Sequence, residues 1–237
     1  MLIESLYPEF CTQSGDNGNM MYVKACLPDA ELVETHLMDR PAFVDRRPDF
    51  MYLGNMTELE QERVIADLLP HRERLIELIE DGVPMLVTGN AAELFGSRIV
   101  DVRDGEITCL DILPFETRRD MDSRVWGMVM GKFEGFDLIG YKAQFTQAFG
   151  QNEGEAVFKC ERGFGLNRQS EYEGFHRKNL ILTWMLGPLL PSNPRLMRYL
   201  LDLMGAPEVP VAFLETAERA YEVRLAEFKD PRIDITD

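Results

Sequence analysis

Pro84-Met85-Leu86-Val87-Thr88-Gly89-Asn90-Ala91-Ala92-Glu93-Leu94-Phe95-Gly96 is the stretch on which the fold turns. Met85 to Val87 form a short apolar run entered by a proline and left at a glycine, the pattern of a buried strand. Gly89 carries the chain through a tight turn, and Ala91 to Phe95 read as a short helix ended by Gly96. At the carboxyl end of a central parallel strand such an elbow points one side chain and several backbone N–H groups into a crevice, where open α/β sheets take their ligands.

Working outward, Leu2 to Tyr7, Glu31 to Met38 and Phe50 to Gly54 read as strands, with a helix over Asn19 to Leu27 between the first two. Glu58 to Glu80 keeps returning apolar residues to one helical face (Val64, Ile65, Leu68, Leu69, then Leu75, Ile76, Leu78, Ile79), and Pro70 divides it. Thr57 and Glu60 have the spacing of a capping box. Ile99 to about Phe158 is rich in β-like runs, among them Val125 to Lys132 and Phe136 to Tyr141. Leu180 to Met185 is another buried strand, Asn193-Pro194 opens a helix, and Pro210 to Lys229 forms a terminal amphipathic one. The expectation is an α/β fold, a central mostly parallel sheet flanked by helices with extra, partly antiparallel strands. One domain covers residues 1–230, followed by a loose tail over 231–237.

The chain has 237 residues, with 41 Asp plus Glu against 25 Lys plus Arg, a formal charge of −16. That field repels phosphate backbones and acidic membrane surfaces, so no nucleic-acid partner is expected. No apolar run has the length of a spanning helix and the first residues lack a secretory pattern, so the reading is a cytoplasmic protein without membrane insertion. Four scattered cysteines (Cys11, Cys26, Cys109, Cys160) and three dispersed histidines suggest neither a disulfide framework nor a metal site, and no cofactor motif stands out.

Three landmarks occur in one order: Leu6-Tyr7-Pro8 with Gly15-Asp16-Asn17-Gly18-Asn19; Tyr52-Leu53-Gly54 with Glu60-Gln61; and Gly187-Pro188-Leu189-Leu190-Pro191 with Asn193-Pro194. In this the chain resembles the class I glutamine amidotransferases of the cobyric acid synthase type, most of all the branch containing the glutaminase subunit of lipid II isoglutaminyl synthase. The resemblance implies a flavodoxin-like fold, a role in peptidoglycan precursor amidation and a Mur-ligase-like ATP-using partner subunit. It also implies a cysteine on the elbow, a histidine to move the proton and backbone amides to hold the oxyanion.

The sequence departs from that pattern at each of these points. The nucleophile position is Gly89, and the position of the base is Leu186 in Trp184-Met185-Leu186-Gly187-Pro188. The oxyanion loop is reduced to Gly54-Asn55-Met56. In Gly140-Tyr141-Lys142-Ala143-Gln144-Phe145-Thr146-Gln147, Lys142, Gln144 and Gln147 replace the acid, histidine and arginine of the family's substrate segment. Neither Gly89 nor Leu186 can do the family's chemistry, so the expectation leans away from an enzyme and toward a binding, scaffolding or regulatory subunit. Asp16, Asn19, Gly54, Asn55, Thr88, Asn90, Lys142, Gln144 and Gln147 are the candidates to contact a small molecule in the inherited crevice. A working glutaminase supplying ammonia to an amidation partner, and a different enzyme on the same fold, stay open. The blander readings are buried or incidental thiols for the cysteines, a solvated helix start for Glu58, Glu60 and Glu62, a plain turn for Asp16 and Asn19, and core or a contact surface for Met128, Met130, Met197 and Met204.

Overall fold

The computed structural model describes residues 1–233. The chain opens with β1 (Leu2–Leu6), α1 (Gly18–Cys26), β2 (Glu31–Thr35), α2 (Ala42–Asp45), β3 (Phe50–Leu53), α3 (Glu58–Leu68), α4 (Arg72–Glu80) and β4 (Met85–Thr88). A β-rich middle follows: β5 (Arg98–Asp101), β6 (Gly105–Thr108), β7 (Phe115–Arg119), β8 (Val125–Phe133), β9 (Phe136–Gln144), β10 (Thr146–Gly150), β11 (Phe158–Arg162), β12 (Tyr172–Glu173), β13 (Phe175–Arg177) and β14 (Leu180–Thr183). The chain then forms α5 (Leu189–Ser192), α6 (Pro194–Leu203) and α7 (Leu214–Lys229).

The central sheet has the order β13-β14-β4-β3-β1-β2, parallel except for the antiparallel edge strand β13. Its strands alternate between two apolar faces, as a doubly covered parallel sheet requires. Leu6, Met51, Leu53, Met85, Val87, Leu180 and Leu182 enter one core with α3, α4 and Phe115. Ile3, Phe50, Tyr52, Leu86 and Ile181 enter the other with α1, α5, α6 and the inner side of the β8–β9 hairpin. Two four-stranded sheets, β10-β7-β5-β6 and β12-β11-β8-β9, complete the molecule, and α7 packs on β8 and β9 through Tyr221, Leu225 and Phe228.

The long helical segment splits at Pro70, where residues 69–71 form a 3-10 turn. The capping box is formed: the Glu60 N–H donates to Thr57 Oγ1 at 3.2 Å and the Thr57 N–H donates to Glu60 Oε2 at 3.0 Å. Several boundaries differ from expectation: β9 runs on to Gln144 and β14 stops at Thr183. β2 ends at Thr35, because His36 to Met38 turn back and the Met38 N–H reaches toward Asp67 Oδ2. The last helix starts at Leu214, after Phe213 adopts a left-handed conformation (φ 53°). The expected tail falls largely outside the described residues. Up to Ile233 the chain is tied down, since the Arg162 guanidinium donates to the carbonyls of Phe228, Asp230 and Ile233. Among the described residues no helix is long and apolar enough to cross a membrane, and no group of three or more His, Cys, Asp or Glu is placed to hold a metal ion.

Candidate functional site

The elbow forms at the carboxyl end of β4, and its first residue, Gly89, has φ +63°. A left-handed backbone at this point is the strained turn that projects a side chain outward, and here there is no side chain to project. The Gly89 N–H donates to the Met185 carbonyl at 3.1 Å, which brings the elbow against the segment after β14. Gly89 and Leu186 line the same cavity of about 160 Å³.

Asn55 fills the space that a side chain on Gly89 would need. A Cβ built on Gly89 would lie 2.5 Å from Asn55 Oδ1, 2.6 Å from its Cβ and 2.7 Å from its Cγ. The same Asn55 Oδ1 accepts from the Asn90 N–H at 3.0 Å, and the Asn90 side chain exchanges two hydrogen bonds with the backbone of Met56. The β3 loop and the elbow are therefore zipped together.

All three amides of the Gly54-Asn55-Met56 loop are spent internally. They donate to Cys11 Sγ at 3.2 Å, to Asp16 Oδ2 at 2.5 Å and to Asn90 Oδ1 at 3.0 Å. Asp16 is the hub of this arrangement. Its carboxylate also accepts from Thr88 Oγ1 at 2.7 Å and Asn19 Nδ2 at 3.0 Å, while the Tyr52 hydroxyl donates to its backbone carbonyl at 3.0 Å. Burial raises the Asp16 carboxyl above its ordinary range despite these donors.

The nine candidate residues thus separate. Asn55, Asn90 and Gln144 line the cavity. Asp16, Asn19 and Thr88 are fully buried and satisfied by one another, and Asn19 Oδ1 also accepts from the Leu190 N–H. Gly54 is closed in, since a Cβ there would meet Asp16 Oδ2 and the Tyr52 hydroxyl. Lys142 does not offer its ammonium to the cavity: it is buried against Glu173 at 2.7 Å and the Gly165 carbonyl at 2.5 Å. Glu173 in turn accepts from Thr183 Oγ1 and the Trp184 N–H. Gln147 lies on β10, away from the cavity, where its Oε1 accepts from the Arg168 N–H.

The cavity wall also holds Gln13, Ser14, Glu93, Arg124, Phe145 and Trp184, which the sequence did not single out, and Glu58, which it reads as part of a solvated helix start. Glu93 is buried on the elbow turn and accepts from Thr146 Oγ1 and from Gln61 Nε2. Burial raises its carboxyl from 4.5 to about 7. Behind it the buried Arg119 guanidinium donates to Gln61 Oε1 and Glu62. Two buried wall atoms have no hydrogen-bond partner, Gln144 Oε1 and Trp184 Nε1. No cysteine lines the cavity. Cys11 packs behind the loop with its thiol raised by burial, and Cys109 and Cys160 are pushed up to about 12, so none is a ready thiolate.

No known family profile matches the chain. In sequence it is homologous to the lipid II isoglutaminyl synthase (glutamine-hydrolyzing) subunit GatD. It is 28% identical to that of Staphylococcus aureus strain N315 over 157 residues, covering 65% of this chain and 63% of the subunit. It is 27% identical to that of Streptococcus pneumoniae strain R6 over 203 residues, covering 82% and 76%. The match spans less than two thirds of the staphylococcal subunit's length. In structure it is similar to a glutamine amidotransferase from Thermotoga maritima (TM-score 0.52, 14% identity, 94% of this chain and 92% of that one). A second glutamine amidotransferase gives a TM-score of 0.54 at 15% identity, covering 85% and 98%. These likenesses establish an α/β fold of the glutamine amidotransferase kind.

Proposed function

We propose that this GatD homologue is a single-domain subunit, over residues 1–230, that keeps the glutamine amidotransferase scaffold of the cobyric acid synthase type but does not hydrolyse glutamine, and acts by binding. The observation that carries the reading is the elbow itself: Gly89 keeps the left-handed turn of a nucleophile position, yet Asn55 stands where a side chain would be. Acyl transfer from a carboxamide needs an attacking atom, a proton carrier and donors for the developing oxyanion. Gly89 supplies no atom and Leu186 carries no proton. The amides of Gly54, Asn55 and Met56, and that of Asn90, are already engaged within the protein.

The relatives are named as subunits of a synthase acting on lipid II, so the proposed partner is a Mur-ligase-like ATP-using subunit in peptidoglycan precursor amidation in the cytoplasm. The relatives' glutamine-hydrolyzing activity favours a second reading, a working glutaminase. Ammonia release from glutamine by the purified chain, with and without a co-expressed ligase subunit, separates the two. The expected result is no release above the blank, and none from the Gly89→Cys, Leu186→His variant while Asn55 remains. Release that scales with the unmodified protein overturns the proposal, and its loss on replacing Cys109 or Cys160 by alanine would identify the attacking thiol.

A further inference from the structure

Phe213 stands where a large apolar side chain gains nothing inside its own chain. It is 74% exposed, its backbone is left-handed (φ 53°), and it caps the N-terminus of α7, a position that favours small polar residues or glycine. That conformation is held from both sides. The Phe213 carbonyl accepts from the Ala217 N–H at 3.0 Å in the first turn of α7. Upstream, the Ala212 carbonyl accepts from the Tyr22 hydroxyl at 2.7 Å, the Ala212 N–H donates to Cys26 Sγ at 3.3 Å, and the Val209 carbonyl accepts from the Arg198 guanidinium at 2.6 Å. Beside this knob lies an apolar groove of about 570 Å³ between the end of α1 and residues 209–212, with Leu27, Pro28, Val209, Pro210 and Ala212 in its walls. Such a volume encloses whole small molecules elsewhere and is ample for one phenyl ring. Among the described residues Asp29 is its one charged lining side chain. Ala25 lines the groove from the exposed surface of α1, one turn after Met21, which is 69% exposed.

We propose that this corner of the molecule is a two-fold interface between copies of this chain, with Phe213 of each copy seated in the groove of the other. A knob and a hole that adjoin on one surface are what an isologous contact requires, since each copy then supplies both halves. The charges around them are mixed in the same sense. α1 and α7 carry the exposed cations Lys24 and Arg219, the adjoining loops carry the exposed carboxylates Asp29 and Glu208, and none of the four makes an ion pair among the described residues. A two-fold axis lets the cations of one copy face the carboxylates of the other, whereas a uniformly basic partner would set like charge against Lys24 and Arg219. Two chains of formal charge −16 repel at long range, so the contact forms where salt screens that field. The groove and the elbow cavity share no lining residue, so the interface holds whether or not glutamine is hydrolysed.

The test is sedimentation velocity of the full chain from about 1 to 100 µM in about 0.3 M NaCl, where charges are screened beyond about 6 Å. The unmodified chain is expected to be a dimer at the upper end and to dissociate on dilution. Phe213→Gly removes the knob and relieves the left-handed backbone. It is expected to weaken dimerisation about hundredfold, about tenfold for each of two equivalent anchors, while the thermal midpoint of the dilute monomer stays level or rises. Ala25→Arg fills the hole from an exposed helical position and is expected to weaken dimerisation as strongly, with helix content unchanged by circular dichroism. An equimolar mixture of the two variants keeps one knob and one matching hole, and is expected to pair more tightly than either variant alone. A chain that stays monomeric throughout, a Phe213→Gly variant that dimerises as well as the unmodified chain, or a mixture that pairs no better than its components overturns the proposal. A monomer that binds a co-expressed ligase subunit only while Phe213 is present assigns the surface to that partner and likewise overturns it.

Discussion

Gly89→Ala is the smallest change that tests whether the elbow has closed on itself. Three costs follow from the geometry. A residue with a Cβ held at φ +63° loses about 1–2 kcal/mol relative to glycine. The new Cβ would sit 2.5–2.7 Å from three Asn55 atoms, and forcing an atom into a filled site costs about 1–3 kcal/mol. Moving Asn55 aside also breaks its 3.0 Å hydrogen bond from the Asn90 N–H, about 1 kcal/mol. The sum is about 3–6 kcal/mol, a large share of a domain's stability. Asn55→Gly alone should cost about 1 kcal/mol for the lost bond. In the double variant only the backbone strain and that bond remain at issue, so a double-mutant cycle by urea unfolding should return a coupling of about 2–4 kcal/mol in favour of the pair. A Gly89→Ala penalty below about 1 kcal/mol, or additive effects of the two substitutions, would refute the claim that Asn55 occupies the side-chain space of the elbow.

Glu93 makes stability depend on pH. Its folded value is raised, so the neutral form favours the native state; the contribution is complete below the ordinary value of 4.5 and is lost as the pH rises toward about 7. At about 1.4 kcal/mol per tenfold change in proton affinity the loss is up to about 3 kcal/mol, and the stability difference between the protein and Glu93→Gln, followed by urea midpoints from pH 4 to 8, should shift in that direction; a flat difference would show that the carboxyl is not raised. Lys142→Met should destabilise by about 3–5 kcal/mol, because it strands the buried Glu173 carboxylate, whereas Lys142→Met with Glu173→Gln should recover part of that loss. A cost below about 1 kcal/mol for the single change would return Lys142 to the list of ligand contacts.

The sequence made the central sheet legible because its evidence is local. Met85 to Val87 and Leu180 to Leu182 are continuous apolar runs, and a parallel strand covered on both faces needs little else to declare itself. The Thr57–Glu60 capping box and the break at Pro70 are equally local. The site was less legible because its chemistry depends on partners far along the chain. Lys142 pairs with Glu173, 31 residues on, and nothing near Lys142 announces that its ammonium is buried. Asp16 and Asn19 looked free to meet a ligand, but Tyr52, Asn55 and Thr88 consume them. Glu93 escaped notice as an ordinary acid on a short helix; its spacing of four residues from Gly89 was the one available signal. The β-rich middle showed its strands, but not that they divide into two sheets, since pairing is a property of register rather than of composition.

The buried Asp16 has a consequence for how this end of the molecule comes apart. One carboxylate ties the loop after β1 to the loop after β3 and to the last residue of β4, while Asn19 extends the tie to the start of α5. None of these segments can swing into solvent alone without leaving a charged or polar group stranded, so the crevice floor opens as one cooperative unit or not at all. A ligand therefore meets a floor whose shape is set before it arrives, and little ordering entropy is left for binding to spend there.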